Sequence, residues 1–168
     1  MLDIAIKNEF EQEIKDVSKK LGNQIIFLEK KRDSYISKEY ELHFSKATRS
    51  NIENKQKPYH FGAEYLEEKD SVHHRRSGMN QVHMKLMKEH KKTLVIATEP
   101  LIESQEKPLI IGRIKQNLKL AKKYSVPVII CSMATKPGSL RQAQELKSFI
   151  KSLGYEDIAK KAVSFKLK

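Results

Sequence analysis

The chain has 168 residues, with 33 Lys and Arg against 21 Asp and Glu, for a formal charge of +12. A chain of this size buries roughly 68–70% of the surface its unfolded form exposes, so one domain with a true core is expected over residues 1–168. The single cysteine, Cys131, excludes an internal disulfide scaffold. No run approaches the roughly 20 apolar residues of a spanning helix, and no signal-peptide pattern opens the sequence, so a cytoplasmic location is the expectation.

Residues 1–6 form a short apolar run that predicts a strand. Asn8 with Glu11 three residues later has the spacing of a capping box. Phe10, Ile14, Val17 and Leu21 then recur at helical spacing, and Gly22 occupies the favoured terminating position. Strands are predicted at 24–28 and 40–44, a poor helix or loop at 48–57, and another strand at 59–65. Gly78 precedes a helix over 79–91 with Met79, Val82, Leu86 and Met87 facing inward. A strand at 93–97 is followed by an irregular segment holding Pro100 and Pro108. A helix is predicted over 113–124, and the most hydrophobic strand over 126–131. Ser139 with Gln142 suggests a second capping box. The stripe Leu146, Phe149, Ile150, Leu153 predicts its helix, and Gly154 ends it. Residues 162–167 read as a last short strand.

Strands alternating with helices of 10–15 residues imply parallel pairing through right-handed crossovers. Six or seven such strands fit either a small barrel or an open doubly wound sheet. A complete eightfold barrel usually needs about 250 residues, so a barrel here is reduced.

Catalytic signatures are sparse. His73, His74, His83 and His90 lie close in sequence, but the last two sit two turns apart on one helix, about 10.5 Å along its axis, too far for one ion. Neither a His-x-His nor a His-Glu-x-x-His pattern occurs. The glycines have no phosphate-loop spacing, so no nucleotide cofactor is supported. Cys131 ends an apolar strand, where an inert thiol is the default. Neither catalytic nor metal-ligating residues are assigned.

The charge distribution is more informative. From residue 113 to the end there are 13 Lys and Arg but 3 Asp and Glu, whereas the preceding 112 residues hold 20 against 18. Such a concentration suits a polyanion, with nucleic acid favoured over an anionic membrane surface or drift in composition. On the 113–124 helix, Ile114, Leu118 and Ala121 share one side while Lys115, Lys119, Lys122 and Lys123 share the other. A solvated helix face usually mixes charge signs, and this helix has no acid. Arg75 and Arg76 form a second basic focus suited to phosphate oxygens. Lys136 and Arg141 form a third, near a helix start whose backbone amides favour anions.

Three stretches carry a family resemblance: Arg75-Arg76-Ser77-Gly78-Met79-Asn80-Gln81-Val82-His83-Met84-Lys85-Leu86, Leu94-Val95-Ile96-Ala97-Thr98-Glu99-Pro100-Leu101-Ile102, and Asn117-Leu118-Lys119-Leu120-Ala121-Lys122-Lys123-Tyr124-Ser125-Val126-Pro127-Val128. In order and spacing, from about Gly62 to Gly154, the chain resembles ribonuclease P protein component 3, the archaeal and eukaryotic thirty-kilodalton subunit class. Departures are Glu99 where the family has arginine, Gln81 for a common histidine, and Gln144-Glu145-Leu146 for an Arg-Asp-Leu run. The N-terminal portion is shorter than a full barrel by about one strand–helix unit.

The resemblance implies an α/β, TIM-barrel-like fold related to the metal-dependent phosphoesterase barrels but without their metal site. It also implies an RNA-binding subunit of the ribonucleoprotein that removes 5′ leaders from precursor tRNA, with the RNA as catalyst and no cofactor in this chain. The implied partners are the ribonuclease P RNA, precursor tRNA indirectly, and a small ferredoxin-like protein subunit in a heterotetramer, with no membrane. Arg75, Arg76, Lys85, Arg113, Lys115, Lys119, Lys122, Lys123, Lys136 and Arg141 are the candidate RNA-binding residues, acting by phosphate neutralisation. The alternatives are a metal-dependent phosphoesterase on a related barrel and another RNA-binding module, such as a ribosome-associated protein.

Overall fold

The computed structural model describes residues 2–31, 34–40, 42–62, 70 and 76–161. Strand β1 (Leu2–Ile6) leads to helix α1 (Glu11–Lys20), then β2 (Gln24–Lys31), β3 (Ser34–Ser37) and β4 (Leu42–Lys46). Helix α2 (Arg49–Glu53), β5 (Tyr59–Phe61), α3 (Gln81–Glu89) and β6 (Thr93–Ala97) follow. The chain continues through α4 (Glu99–Glu103), α5 (Lys107–Tyr124), β7 (Val128–Cys131), α6 (Ala143–Ser152) and α7 (Glu156–Ala159).

The seven strands form one sheet in chain order. The sheet curls until β1 meets the segment just beyond β7, where Ala5 and Ala134 form a parallel bridge. Ile6 N–H donates to the Ala134 carbonyl at 2.8 Å, and Ala134 N–H to the Ile4 carbonyl at 3.2 Å. The result is a nearly closed barrel, the reduced TIM-barrel-like α/β architecture expected from the sequence.

Uniform parallel pairing does not hold. β2–β3 and β3–β4 are antiparallel, whereas β1–β2, β4–β5, β5–β6 and β6–β7 are parallel. Only two residues separate β2 from β3 and four separate β3 from β4, lengths that suit a hairpin and cannot hold a crossover. β3 is hard to recognise from sequence because its four residues, Ser-Tyr-Ile-Ser, follow a charged run and contain only two apolar side chains.

The period-two alternation of strand side chains separates a barrel interior from an outer layer, and the outer layer divides into a large cluster and a smaller one under α1, where Ala5, Ile25 and Phe27 meet Ile14 and Leu140. Ile4, Ile26, Leu28, Phe44, Val95 and Cys131 point into the barrel, where Phe44 stacks on Tyr59 with ring centroids 4.7 Å apart. Leu94, Ile96, Val128 and Ile130 point outward and pack on Met84, Met87, Ile114, Leu118, Leu146 and Ile150 of the surrounding helices.

Helix boundaries follow local chemistry that the spacing only partly reveals. Asn8 does not cap α1: its Oδ1 accepts from Phe10 N–H at 3.0 Å and its Nδ2 donates to the Thr135 carbonyl at 2.7 Å. Asn80, not Gly78, caps α3 by accepting from His83 N–H at 2.9 Å. Helix α3 buries Met84 and Met87, while Val82 is 59% exposed. Pro108 lies in the first turn of α5, where a missing N–H is harmless, so the helix begins six residues earlier than predicted. Pro100 likewise sits at the start of α4. The capping box at α6 is Gln142 with Glu145, whereas Ser139 belongs to a buried 3-10 turn, Pro137–Ser139. The predicted strand at 162–167 and the last part of that at 59–65 lie outside the described residues.

Candidate nucleic-acid interface

Helix α5 carries the main basic surface. Ile110, Ile114, Leu118 and Ala121 bury one stripe, and Ser125 at φ 56° ends the helix with its N–H bonded to the Lys122 carbonyl at 3.2 Å. That burial fixes the opposite face, on which Lys115, Lys119, Lys122 and Lys123 are exposed. No acidic residue occurs within α5. Lys115, Lys119 and Lys123 have no carboxylate partner among the described residues, and Lys123 lies 5.6 Å from the Tyr124 ring centre. The Lys122 ammonium sits 3.3 Å from Asp157 Oδ2, an exposed pair of the kind that contributes about 0–1 kcal/mol. Like charges along this row repel until an anion relieves them.

Arg113 is a correction. Although it neighbours that row in sequence, its side chain is fully buried, with Nε 3.0 Å and Nη2 2.9 Å from Asp70 Oδ1. It lies on the buried arc one residue before Ile114, so no phosphate can reach it. The same Asp70 oxygen accepts from Arg76 N–H at 2.8 Å. Buried Arg113 therefore helps fix the backbone that presents Arg76, whose side chain is exposed. Asn117 adds a second tie, donating to the Ser77 carbonyl at 3.0 Å, and Tyr124 Oη bonds Gln81 Oε1 at 3.1 Å. Arg76, exposed Lys85 on α3 and the α5 lysines thus belong to adjoining elements. Arg75 lies outside the described residues.

The third focus is more committed than its sequence suggests. Lys136 pairs with Glu103 at 3.2 Å. Arg141 donates through Nη1 to the Gly138 and Leu140 carbonyls at 2.8 and 2.7 Å. The amides at the start of α6 are also taken: Gln142 N–H donates to Glu145 Oε2 at 2.6 Å and Arg141 N–H to Ser132 Oγ at 3.0 Å. The expected amide site for an anion is therefore filled by the protein's own oxygens at these two positions.

The carboxyl ends of β6 and β7 hold two buried carboxylates with structural duties. Asp3 accepts from Ile4 N–H, Ser132 N–H and Ser132 Oγ at 2.8, 2.8 and 2.6 Å, across the barrel seam. Burial raises its pKa despite those bonds, which favour the charged form. Glu99 is buried and accepts from Thr135 N–H and Oγ1 at 2.7 and 2.8 Å. Cys131 is buried, and its thiol is pushed well up by burial and by Asp3. Among the described residues, no group of three His, Cys, Asp or Glu is placed to hold a metal ion.

Sequence reasoning overlooks His60. It is fully buried on β5, with Nδ1 3.2 Å from Ser45 Oγ, and burial depresses its pKa to about 4. The alternation Tyr59-His60-Phe61 contains the signal: if the aromatics face inward, the imidazole must face the helical layer.

Among curated proteins, the chain is 36% identical over 83 residues to ribonuclease P protein component 3 of Methanosarcina mazei, covering 48% of this chain and 35% of that protein. It is 34% identical over 93 residues to ribonuclease P protein component 3 of Methanosarcina acetivorans, covering 54% of this chain and 39% of that protein. The chain is similar to ribonuclease P protein component 3. The matched segments span little more than a third of these relatives' length. No family model matches. The fold is shared with a chain in a cryo-EM structure of archaeal ribonuclease P with mature tRNA, at a TM-score of 0.64 and 18% identity, over 95% of this chain and 75% of that one.

Proposed function

We propose that this chain is an RNA-binding protein subunit of ribonuclease P, the ribonucleoprotein that trims 5′ leaders from precursor tRNA. Its barrel acts as one domain, and the holoenzyme's cleavage is performed by the RNA. The observation that carries this reading is the acid-free lysine face of α5, on a chain similar to component 3 relatives. Lys115, Lys119, Lys122 and Lys123, with Arg76 and Lys85 on adjoining elements, neutralise phosphates of the ribonuclease P RNA and release counterions. Lys136 and Arg141 supply a second, separate set of phosphate contacts, Arg75 is a further candidate by its sequence, and precursor tRNA is held indirectly. The small ferredoxin-like subunit is the protein partner and the cytoplasm the site of action; no described helix is long and apolar enough to cross a membrane.

The test is charge reversal of Lys115, Lys119 and Lys122 to glutamate, with binding to a transcribed archaeal ribonuclease P RNA measured across salt concentrations. The fold should persist, since exposed substitutions usually stay within about ±0.5 kcal/mol. The salt slope should shrink by up to about 0.7–0.9 for each phosphate that is no longer neutralised. Reversing Lys20, Lys30 and Lys55, exposed lysines away from α5, makes the same change in net charge. Equal losses from the two triple variants would reduce the binding to net charge and remove α5 as the RNA face.

A further inference from the structure

We infer that the outer wall formed by α5 and α3 takes double-helical RNA, held by its phosphates whatever its base sequence. The inference rests on the reading of α5 as the RNA face and adds the kind of RNA that this face accepts. Helix α5 sorts its polar side chains by chemistry. Those whose planar groups could pair with a base edge turn inward: Arg113 and Asn117 are fully buried, and Gln116 is half-buried. Those left exposed, Lys115, Lys119, Lys122 and Lys123, are point charges that meet phosphate without reading sequence.

The nearby rings are committed as well. Tyr124 carries the Lys123 ammonium 5.6 Å from its ring centre and donates its hydroxyl to Gln81 Oε1 at 3.1 Å, while the Tyr155 hydroxyl donates to the Lys115 carbonyl at 3.1 Å. Both rings pack against the helical core. Surfaces for unpaired strands combine a basic groove with rings on which bases stack. Helix α5 offers a row of cations on a convex face instead. Lys115, Lys119 and Lys123 are four residues apart, a rise of about 6 Å per step, so the row is rigid and evenly spaced. Such a row fits a duplex backbone, whose phosphates are already held at even intervals, better than a strand that must first be ordered. Helix α3 supplies a second line of charge. It leads into β6 as α5 leads into β7, those strands are parallel neighbours, and both helices bury side chains in the same apolar layer. Packed helices lie about 8–10 Å apart, and α3 exposes Lys85 and Lys88 against one acid, Glu89. Two such lines suit the two strands that border the wide, shallow minor groove of an A-form helix.

Fluorescence anisotropy on the full chain would compare RNA duplexes of about 16 base pairs, long enough for two successive minor grooves, with an unpaired strand twice as long. The two forms then carry nearly the same number of phosphates, so charge alone favours neither. Two duplexes of unrelated sequence should bind within about threefold of each other, and about fivefold or more tighter than the unpaired strand. Reversal of Lys115, Lys119 and Lys122 to glutamate should abolish that preference as well as lower affinity. The pair Lys85→Glu and Lys88→Glu should weaken duplex binding more than strand binding, with the fold of each variant confirmed by circular dichroism. A strand that binds as tightly as the duplexes, a larger difference between the duplexes, a preference that survives in the α5 variant, or a duplex affinity untouched by the α3 pair would each overturn the proposal. The reading of α5 as the RNA face stands in any of those cases if its variant still loses affinity for ribonuclease P RNA. If that affinity is unchanged too, both fall.

Discussion

The helical wall built by α5 and α6 and the hairpin wall built by β2, β3 and β4 enclose the same barrel by different means. On the helical side, Leu94, Ile96, Val128 and Ile130 are covered by Ile114, Leu118, Leu146 and Ile150, so every outward strand residue there meets an apolar partner layer. On the hairpin side, no helix intervenes between β2, β3 and β4, and Ile36 of β3 is left only half-buried. The difference shows why charge can be segregated. A helix anchored by a long buried stripe tolerates four exposed lysines of one sign, because packing supplies its stability. The hairpin wall keeps its charges mixed, with Glu29 beside Lys30 and Lys31 on β2 and Glu39 beside Lys38 after β3.

The largest expected effect tests whether the helical wall depends on its one buried cation. Arg113→Met removes one partner of Asp70, and loss of one member of a buried ion pair costs up to about 3–5 kcal/mol. Lys115→Met, two residues away on the exposed arc, should stay within about ±0.5 kcal/mol. Urea unfolding of both variants would measure the gap, and equal stabilities would mean that Arg113 does not fasten the segment carrying Arg76.

A smaller effect separates the walls by pH. His60 and Ser45 face outward from β5 and β4, where burial above all, and then Lys92, Lys57 and His43, oppose a positive charge on the imidazole. The folded-state pKa, about 4, lies below the ordinary 6.5. The neutral ring's contribution is therefore complete above about pH 6.5 and is lost as the pH falls towards 4. Fully expressed, this is on the order of 3 kcal/mol. His60→Asn should flatten the fall in urea midpoint over that window. Parallel profiles for the two proteins would show that acid acts elsewhere.

The helical wall is the more legible in the sequence. The spacing of Ile114, Leu118 and Ala121 predicts both the buried stripe of α5 and the lysine face opposite it, because an uninterrupted helix has a single period. The same period puts Arg113 on the buried arc, between Ile110 and Asn117, so only its charge groups it with the exposed lysines. The carboxylate that holds it, Asp70, is 43 positions away. The hairpin wall is harder to read because β3 is four residues long and its register depends on strands before and after it. The cap at α1 shifts because Asn8 Oδ1 accepts from Phe10 N–H, before the helix proper, while its Nδ2 donates to the Thr135 carbonyl across the barrel seam, 127 positions away.

The smallest effect sharpens the contrast between paired and unpaired lysines. Asp157 on α7 is the only acidic group among the described residues seen paired with the α5 row, through Lys122. Both side chains are mostly exposed, at 55% and 76%, so Asp157→Asn should change stability by less than about 0.5 kcal/mol. If α5 is the RNA face, the released ammonium becomes available to a phosphate. RNA affinity at low salt should then rise by the worth of one exposed pair, about 0.2–1 kcal/mol, or roughly 1.4- to 5-fold. Glu103→Gln frees Lys136 in the same way and removes the same unit of negative charge, so comparing the two distinguishes position from charge. A gain from Asp157→Asn larger than that from Glu103→Gln would locate the RNA along α5. The reverse order would move it towards the carboxyl ends of the barrel strands, where Lys136 stands.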